Sequence, residues 1–521
     1  LEFNFAEWKA TVRKFIAMLL RKFGSLIFFV SFVSLAWWYN YPTELTMRPH
    51  SVHRWRQCDG AQIAINYYNV SMNFFEPRLS ICNGNDGKMV SEFPVIYYTA
   101  ACLYKIFGPH EYFLRLISLT IFFAGLYFLY KTISLLLDDE LYALVFSLML
   151  FTSAVVIDYA FNFLPDVPAL SFTFIGYYFF LSFIKYGESK HLFYAATFFA
   201  FAGTLKITSL LGYFAIAAML VTIIIAGKET TITKKFAASK ITCCVFFILP
   251  VITAAAWIAY VKYYNNTNSN FYFTTSLRPI WEGDFYQVRD VFRRLDWQWL
   301  RAYMYRDFLH TLPFVFVLCF LIAVKKNIAL KWWLFYSLVF CTLYFFSFFL
   351  QFFHHDYYVV CMMFLPIAVC VVLMKQVKER FPKMFHSPAT KSALVILLIV
   401  MAYHGHRINM EREAEVNTEN FHEYWNIEPQ LEMAGISKTD KIISIGDETS
   451  GVSLYFMNRR GWTQLMIPNP VPVKYIEECR SKGAKYLMVY KNCEANLDSI
   501  TAAKYKTHTA AIINGIKIYR L

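Results

Sequence analysis

The 521-residue chain is 57% hydrophobic and only 17% charged. A soluble domain carries roughly 25% charged residues, so this composition argues for a membrane protein. The net charge is +14, but the lysines and arginines gather in short segments between apolar runs. That distribution suits membrane topology, and nucleic acid is not an expected partner. Eleven cysteines include no CxxC pair and therefore no zinc or redox signature.

Residues 1–23 are basic and amphipathic (Lys9, Arg13, Lys14, Arg21, Lys22) and read as a helix on the cytoplasmic surface. A membrane crossing needs roughly 20 apolar residues. The pattern predicts eleven, near 24–41, 113–135, 139–159, 165–184, 191–205, 207–226, 241–262, 311–325, 331–351, 357–375 and 391–404. Lysine-rich connections at 185–190, 228–240, 325–331 and 375–383 fall on the side of the basic N-terminus, which makes that side cytoplasmic. The alternate connections are then external: 42–112, 160–164, the Lys206 turn, 263–310, 352–356 and the chain beyond 405.

The first external loop, 42–112, is too long and too aromatic for a passive connector. It predicts one helix from Asp59 to Tyr68 and another from about Pro94 to Phe107. Beyond 405 the pattern becomes that of a small α/β domain. Strands are expected at 441–446 and 486–491, helices at 451–458 and 472–482, and a hairpin around Asn514-Gly515. Gly446-Asp447 closes a strand without any GxGxxG or P-loop, and reads as a strand end in a lid or acceptor-docking domain. The expected fold is thus an α-helical polytopic membrane protein with a small extracytoplasmic α/β domain. Its parts are 1–23, 24–404 and 405–521.

Chemistry-bearing residues concentrate on the external side. The stretch His50–Gly60 gathers two histidines, two arginines and a carboxylate beside the membrane, where ionisable groups usually mark function. On a helix Arg56, Asp59, Ile63 and Tyr67 share one face. Asp59 reads either as a general base for an acceptor hydroxyl or as the ion-pair partner of Arg56 or Arg54. Glu92, in Ser91-Glu92-Phe93-Pro94, suits a helix N-terminus. Asp166 can cap the helix it opens. Lys206 is a cation at a turn between two apolar spans, where its long stem lets it snorkel. His354-His355-Asp356-Tyr357-Tyr358 offers hydrogen bonds to a phosphate or sugar, or interfacial anchoring. A metal there is disfavoured because adjacent residues point in different directions. Arg278, Arg289, Arg293, Arg294 and Arg301 lie among tryptophans in 263–310, a pattern of membrane-surface helices. Cys58 with Cys82, and Cys479 with Cys493, could pair in an oxidising compartment.

The motifs Trp-Arg-Gln-x-Asp (55–59), Glu-Phe-Pro (92–94), Pro-Asp (165–166), Leu-Lys (205–206) and His-Asp-Tyr-Tyr (355–358) are similar to those of GT-C glycosyltransferases. The layout resembles the same class, in particular bacterial relatives of protein O-mannosyltransferases and lipid A aminoarabinose transferases. Cys58 departs from the small residue usual in the first motif. The resemblance implies a polyprenyl-phosphate-linked sugar donor and an acceptor hydroxyl on a glycan, glycolipid or protein, with inversion at the sugar. It implies Asp59 as the catalytic carboxylate, with Arg56, Glu92, Asp166, Lys206, His355, Asp356 and Tyr357 around the substrates. No cofactor is expected, and a divalent metal stays open. The expected place is the bacterial inner membrane, with the site on the periplasmic side. The alternative is a lipid-linked sugar flippase or transporter, which would place ionisable residues near the midplane; here they cluster at one face.

Overall fold

The computed structural model describes residues 5–226, 231–270, 272–273, 277–322, 328–416, 421–465, 467, 469–506 and 509–521. The side chains of Lys9, Arg13, Lys14 and Arg21, and all of Lys228, Lys325 and Lys326, lie outside the described residues.

A single helix, Phe5–Trp38, runs through the boundary expected at residue 23. Seven helices among the described residues are long and apolar enough to cross a membrane, or nine if two bent pairs each count as one span. The other two expected spans are helical as well: the first is the C-terminal half of Phe5–Trp38, and the 191–205 span is Ser189–Leu205, with 17 residues. The expected 139–159 span is one of the bent pairs, Glu140–Leu150 and Ala154–Ala160, meeting at 79°. Each half has its own cap, Asp139 accepting from the amides of Leu141 and Tyr142 and Ser153 from that of Val156. The Pro388–Val416 helix crosses this bend closely, since a Cβ on Gly405 would lie 2.0 Å from the Thr152 carbonyl oxygen.

The Asp166–Tyr186 and Asp356–Arg380 spans are the bundle's centre, with most residues of their apolar stretches buried, while Lys240–Thr267 and Ile328–Ser347 face outward. One end of the bundle is basic: Lys375 and Lys378 donate to the carbonyls of Leu136 and Leu137, and Lys235 to that of Ile184. The opposite end carries loop 42–112 and the C-terminal domain.

The two loop helices form at Arg54–Asn69 and Val95–Phe107. The first begins five residues before the expected start, so Asp59 sits inside the helix. A Cβ on Gly60 would lie 2.5 Å from the Tyr97 ring and 2.9 Å from the Phe163 carbonyl oxygen. Glycine there lets the helix carrying Asp59 lie directly on the second loop helix and the 161–165 turn.

The C-terminal sheet holds β1 (Lys441–Ile445), β2 (Gly461–Thr463), β3 (Ala484–Val489), β4 (Thr509–Ile513) and β5 (Ile516–Arg520) in the order β2-β1-β3-β5-β4. β1 is parallel to β2 and β3, and β5 is antiparallel to β3 and β4. The helices Val452–Met457 and Val473–Ser481 fall where the sequence placed them. Loop 42–112 and this domain are knit together. The Cys82 amide donates to the Gly461 carbonyl at 2.6 Å and the Gly461 amide to that of Ser80 at 3.0 Å. One apolar core also joins Ile63, Tyr97 and Tyr104 of the loop to Leu454, Phe456 and Ile518. Cys58, Cys82, Cys479 and Cys493 are free thiols, so neither anticipated disulfide forms.

Candidate active site

His53 takes a left-handed conformation (φ 54°) and turns the chain into the Arg54–Asn69 helix. Two turns of that helix then project Arg56 and Asp59 to the same side. Asp59 is fully buried. The Arg56 Nη1 donates to its Oδ2 at 3.2 Å, and the Arg56 Nη2 donates to Glu92 Oε1. Glu92 lies 3.7 Å from the Lys206 Nζ, which is 3.2 Å from Asp166 Oδ1. Asp59, Arg56, Glu92, Lys206 and Asp166, drawn from four separate parts of the sequence, thus form one continuous ladder of alternating charge. The Lys206 ammonium also lies over the rings of Tyr357 (5.6 Å) and Tyr358 (6.0 Å). His355 stacks on Tyr358 at 5.3 Å and lies as near Tyr357.

Asp356 is drawn away from this ladder. Its Oδ2 accepts from the Arg412 Nη2 at 2.6 Å and its Oδ1 from the Tyr159 hydroxyl at 2.7 Å. The His53 Nε2 lies 3.2 Å from the same Oδ1. Arg412 also reaches Asp158 at 3.5 Å. This second network locks the Pro388–Val416 helix to the start of the Asp356–Arg380 span. His355 and Asp356 point to different partners, and no group of three or more His, Cys, Asp or Glu side chains among the described residues is placed to hold a metal ion.

Two partners of Asp59 were not legible in advance. The Ser450 hydroxyl donates to its Oδ1, and the Tyr272 hydroxyl to its Oδ2 at 3.4 Å. Ser450 sits in the turn after β1, at the carboxyl end of the parallel strands, where the strand order diverges to either side. Such switch points gather ligand-binding loops in α/β sheets. The neighbouring Asp447 is the turn's internal brace: Oδ2 accepts from the Ser453 amide at 2.8 Å and Oδ1 from the Thr449 amide at 2.9 Å. The strand-end reading of Gly446-Asp447 therefore describes Asp447, while the turn it holds brings Ser450 to Asp59.

The environment separates the two loop carboxylates. Burial pushes the Asp59 carboxyl up to about 6, against the pull of Arg56 and the Ser450 hydrogen bond. Burial acts on Glu92 in the same direction, but Arg56 and Lys206 outweigh it and hold Glu92 at about 2. Glu92 is ionised above about 2, and Asp59 exchanges its proton near 6. Carboxylates driven apart in this way are the usual basis for assigning acid–base roles.

Residues 91–257 match the family described as dolichyl-phosphate-mannose-protein mannosyltransferase, a stretch that includes Glu92, Asp166 and Lys206. No curated protein matches the chain by sequence. Among solved structures, ArnT from Cupriavidus metallidurans in the apo state is similar, with TM-score 0.61 and 11% identity over 95% of this chain and 98% of that one. The same protein bound to undecaprenyl phosphate gives TM-score 0.62 and 11% identity over 95% and 97%. The Archaeoglobus fulgidus oligosaccharyltransferase, in complex with Zn and sulfate, gives 0.53 and 11% over 89% and 68%. The chain thus has the GT-C fold, the architecture of a class of membrane glycosyltransferases.

Proposed function

We propose that the protein transfers a monosaccharide from a polyprenyl-phosphate donor to an acceptor hydroxyl. The observation that carries this reading is the buried Asp59, poised near neutral pH at the head of the Arg56–Glu92–Lys206–Asp166 ladder. Asp59 takes the proton of the acceptor hydroxyl as its oxygen attacks the anomeric carbon. The bond from that carbon to the phosphate oxygen breaks, its electron pair leaves with the polyprenyl phosphate, and the anomeric configuration inverts. The Tyr272 contact to Asp59, long at 3.4 Å, is the one an acceptor hydroxyl most readily replaces.

Lys206 is the group for the departing phosphate, assisted by Arg56. Its side chain is 22% exposed, more than Glu92 or Asp166 beside it. Ile207, the next residue, lines an apolar groove of about 350 Å³ between the Ile207–Ile225 and Lys240–Thr267 spans, with Leu210, Phe214, Ala254 and Ala255. This outward-facing groove suits the isoprenoid chain of a donor entering from the bilayer. The undecaprenyl phosphate bound to the similar ArnT supports this choice of donor. Lysines at the far end of the bundle support a cytoplasmic assignment for that end and an extracytoplasmic site. A reporter fused after Leu521 that works only in the cytoplasm would overturn that orientation.

The deciding experiment incubates the purified chain with a panel of labelled polyprenyl-phosphate sugars and compares it with Asp59→Asn. That variant keeps the side chain's shape but not its basicity. Transfer is expected to fall by at least about a hundredfold, with undecaprenyl phosphate still bound. Normal transfer in Asp59→Asn removes Asp59 as the base.

A further inference from the structure

Next to the ladder lies a second cavity of about 400 Å³, the size range of small-molecule sites. Its wall carries Arg54, Arg294, Arg301, Arg412, His53 and His354, and none of the described residues lining it is acidic. Three of these arginines are engaged: Arg412 by Asp356 and Asp158, Arg301 by Glu411 at 3.3 Å, and Arg54 over the Phe421 ring at 5.7 Å and with a further partner. Arg294 donates through Nε to the Gln298 amide oxygen at 3.0 Å and lies on the faces of Trp299 and Phe353, at 5.1 and 4.7 Å. Among the described residues no carboxylate pairs with it.

Arg412 is only 6% exposed, and its buried Nε has no hydrogen-bond partner among the described residues. A buried, unpaired donor on a cavity wall is costly unless something fills the cavity and accepts from it. Burial, Arg294 and Arg278 together hold His354 below the ordinary histidine range, as a positive surrounding requires.

The neighbouring ladder has the opposite balance, three carboxylates (Asp59, Glu92, Asp166) to two cations (Arg56, Lys206). The turn after β1 joins the two compartments: Ser450 donates to Asp59, while Thr449 and Val452 line the arginine cavity. The apolar groove suited to a lipid chain adjoins Lys206 and shares no lining residue with the arginine cavity. We infer that the arginine cavity binds an anionic group of the acceptor, a phosphate or carboxylate, and so holds the acceptor's hydroxyl beside Asp59. This inference rests on the glycosyl-transfer reading.

Binding of inorganic pyrophosphate and of undecaprenyl phosphate to the purified full chain in detergent tests it. The variants are Arg294→Gln, Arg294→Lys and Lys206→Gln. Arg294 is half-buried at the end of a surface helix, and thermal unfolding checks that its variants stay folded. Arg294→Gln is expected to weaken pyrophosphate by at least about tenfold, the loss of one charge-assisted contact, and to leave undecaprenyl phosphate within about twofold. Arg294→Lys recovers much of the pyrophosphate affinity, and Lys206→Gln shows the opposite selectivity.

Three results overturn the inference: no pyrophosphate binding by the wild-type chain, pyrophosphate binding indifferent to Arg294→Gln, or an equal loss of undecaprenyl phosphate in that variant. The last would make the cavity the donor's phosphate site. None of these depends on transfer, so the Asp59→Asn assay fails or succeeds separately.

Discussion

The Ser450 hydroxyl hydrogen-bonds the Asp59 carboxylate across 391 residues of sequence. The C-terminal domain therefore completes the site rather than hanging beside it. A donor on the carboxylate stabilises its charged form and lowers its pKa, opposing burial.

The first prediction concerns pH. A base must be unprotonated, so the transfer rate is expected to fall as pH drops through about 6, the value of Asp59. Glu92, already ionised above about 2, contributes nothing to that limb. Ser450→Ala removes a contact that lowers the Asp59 value, so its acid limb moves to higher pH. A limb unchanged in Ser450→Ala would disconnect Ser450 from the ionisation that the rate reports.

Glu92→Gln tests the centre of the ladder. It leaves Arg56 with Asp59 alone and Lys206 with Asp166 alone, and breaking buried pairs from one side costs roughly 3–5 kcal/mol. The expected result is a markedly lower unfolding temperature at neutral pH. The native Glu92 value, about 2, lies below that of an unfolded glutamate, about 4.3. Its contribution is therefore complete above about 4.3 and lost as pH falls towards 2. The wild type and Glu92→Gln should converge in stability only under strongly acidic conditions.

Lys206→Ala separates a substrate role from a structural one. If Lys206 holds the donor phosphate, undecaprenyl phosphate binding weakens by roughly 1.5–3 kcal/mol, the worth of a hydrogen bond to a charged group. Lys206→Arg retains part of it. Unchanged binding with a lowered unfolding temperature would leave Lys206 as a partner of Asp166 and Glu92 only.

Arg412→Ala addresses the second network. It strips the charged partner from the fully buried Asp356 and the partly buried Asp158, and a loss of roughly 3–5 kcal/mol in stability is expected. The double variant Arg412→Ala with Asp356→Asn should recover part of that loss. Failure to recover any would show that Asp356 is not the group left unpaired.

What the sequence determined by itself was local. Apolar runs marked the helices long enough to cross a membrane, because the bilayer imposes a length that each segment meets alone. The loop helices and the α/β pattern were legible for the same reason, since periodicity is a property of one stretch, although the helix expected to end at 404 runs on to Val416. So was the set Arg56, Asp59, Glu92, Asp166 and Lys206, through short motifs at segment ends. Only the tertiary structure decided how they combine: that Arg56 and Lys206 both reach Glu92, while Asp356 turns to Arg412. No motif or periodicity in the sequence marks Arg412 or Ser450. Their roles depend on burial and on partners hundreds of residues away, because a buried charge takes the nearest available counter-charge in space, whatever its place in the chain.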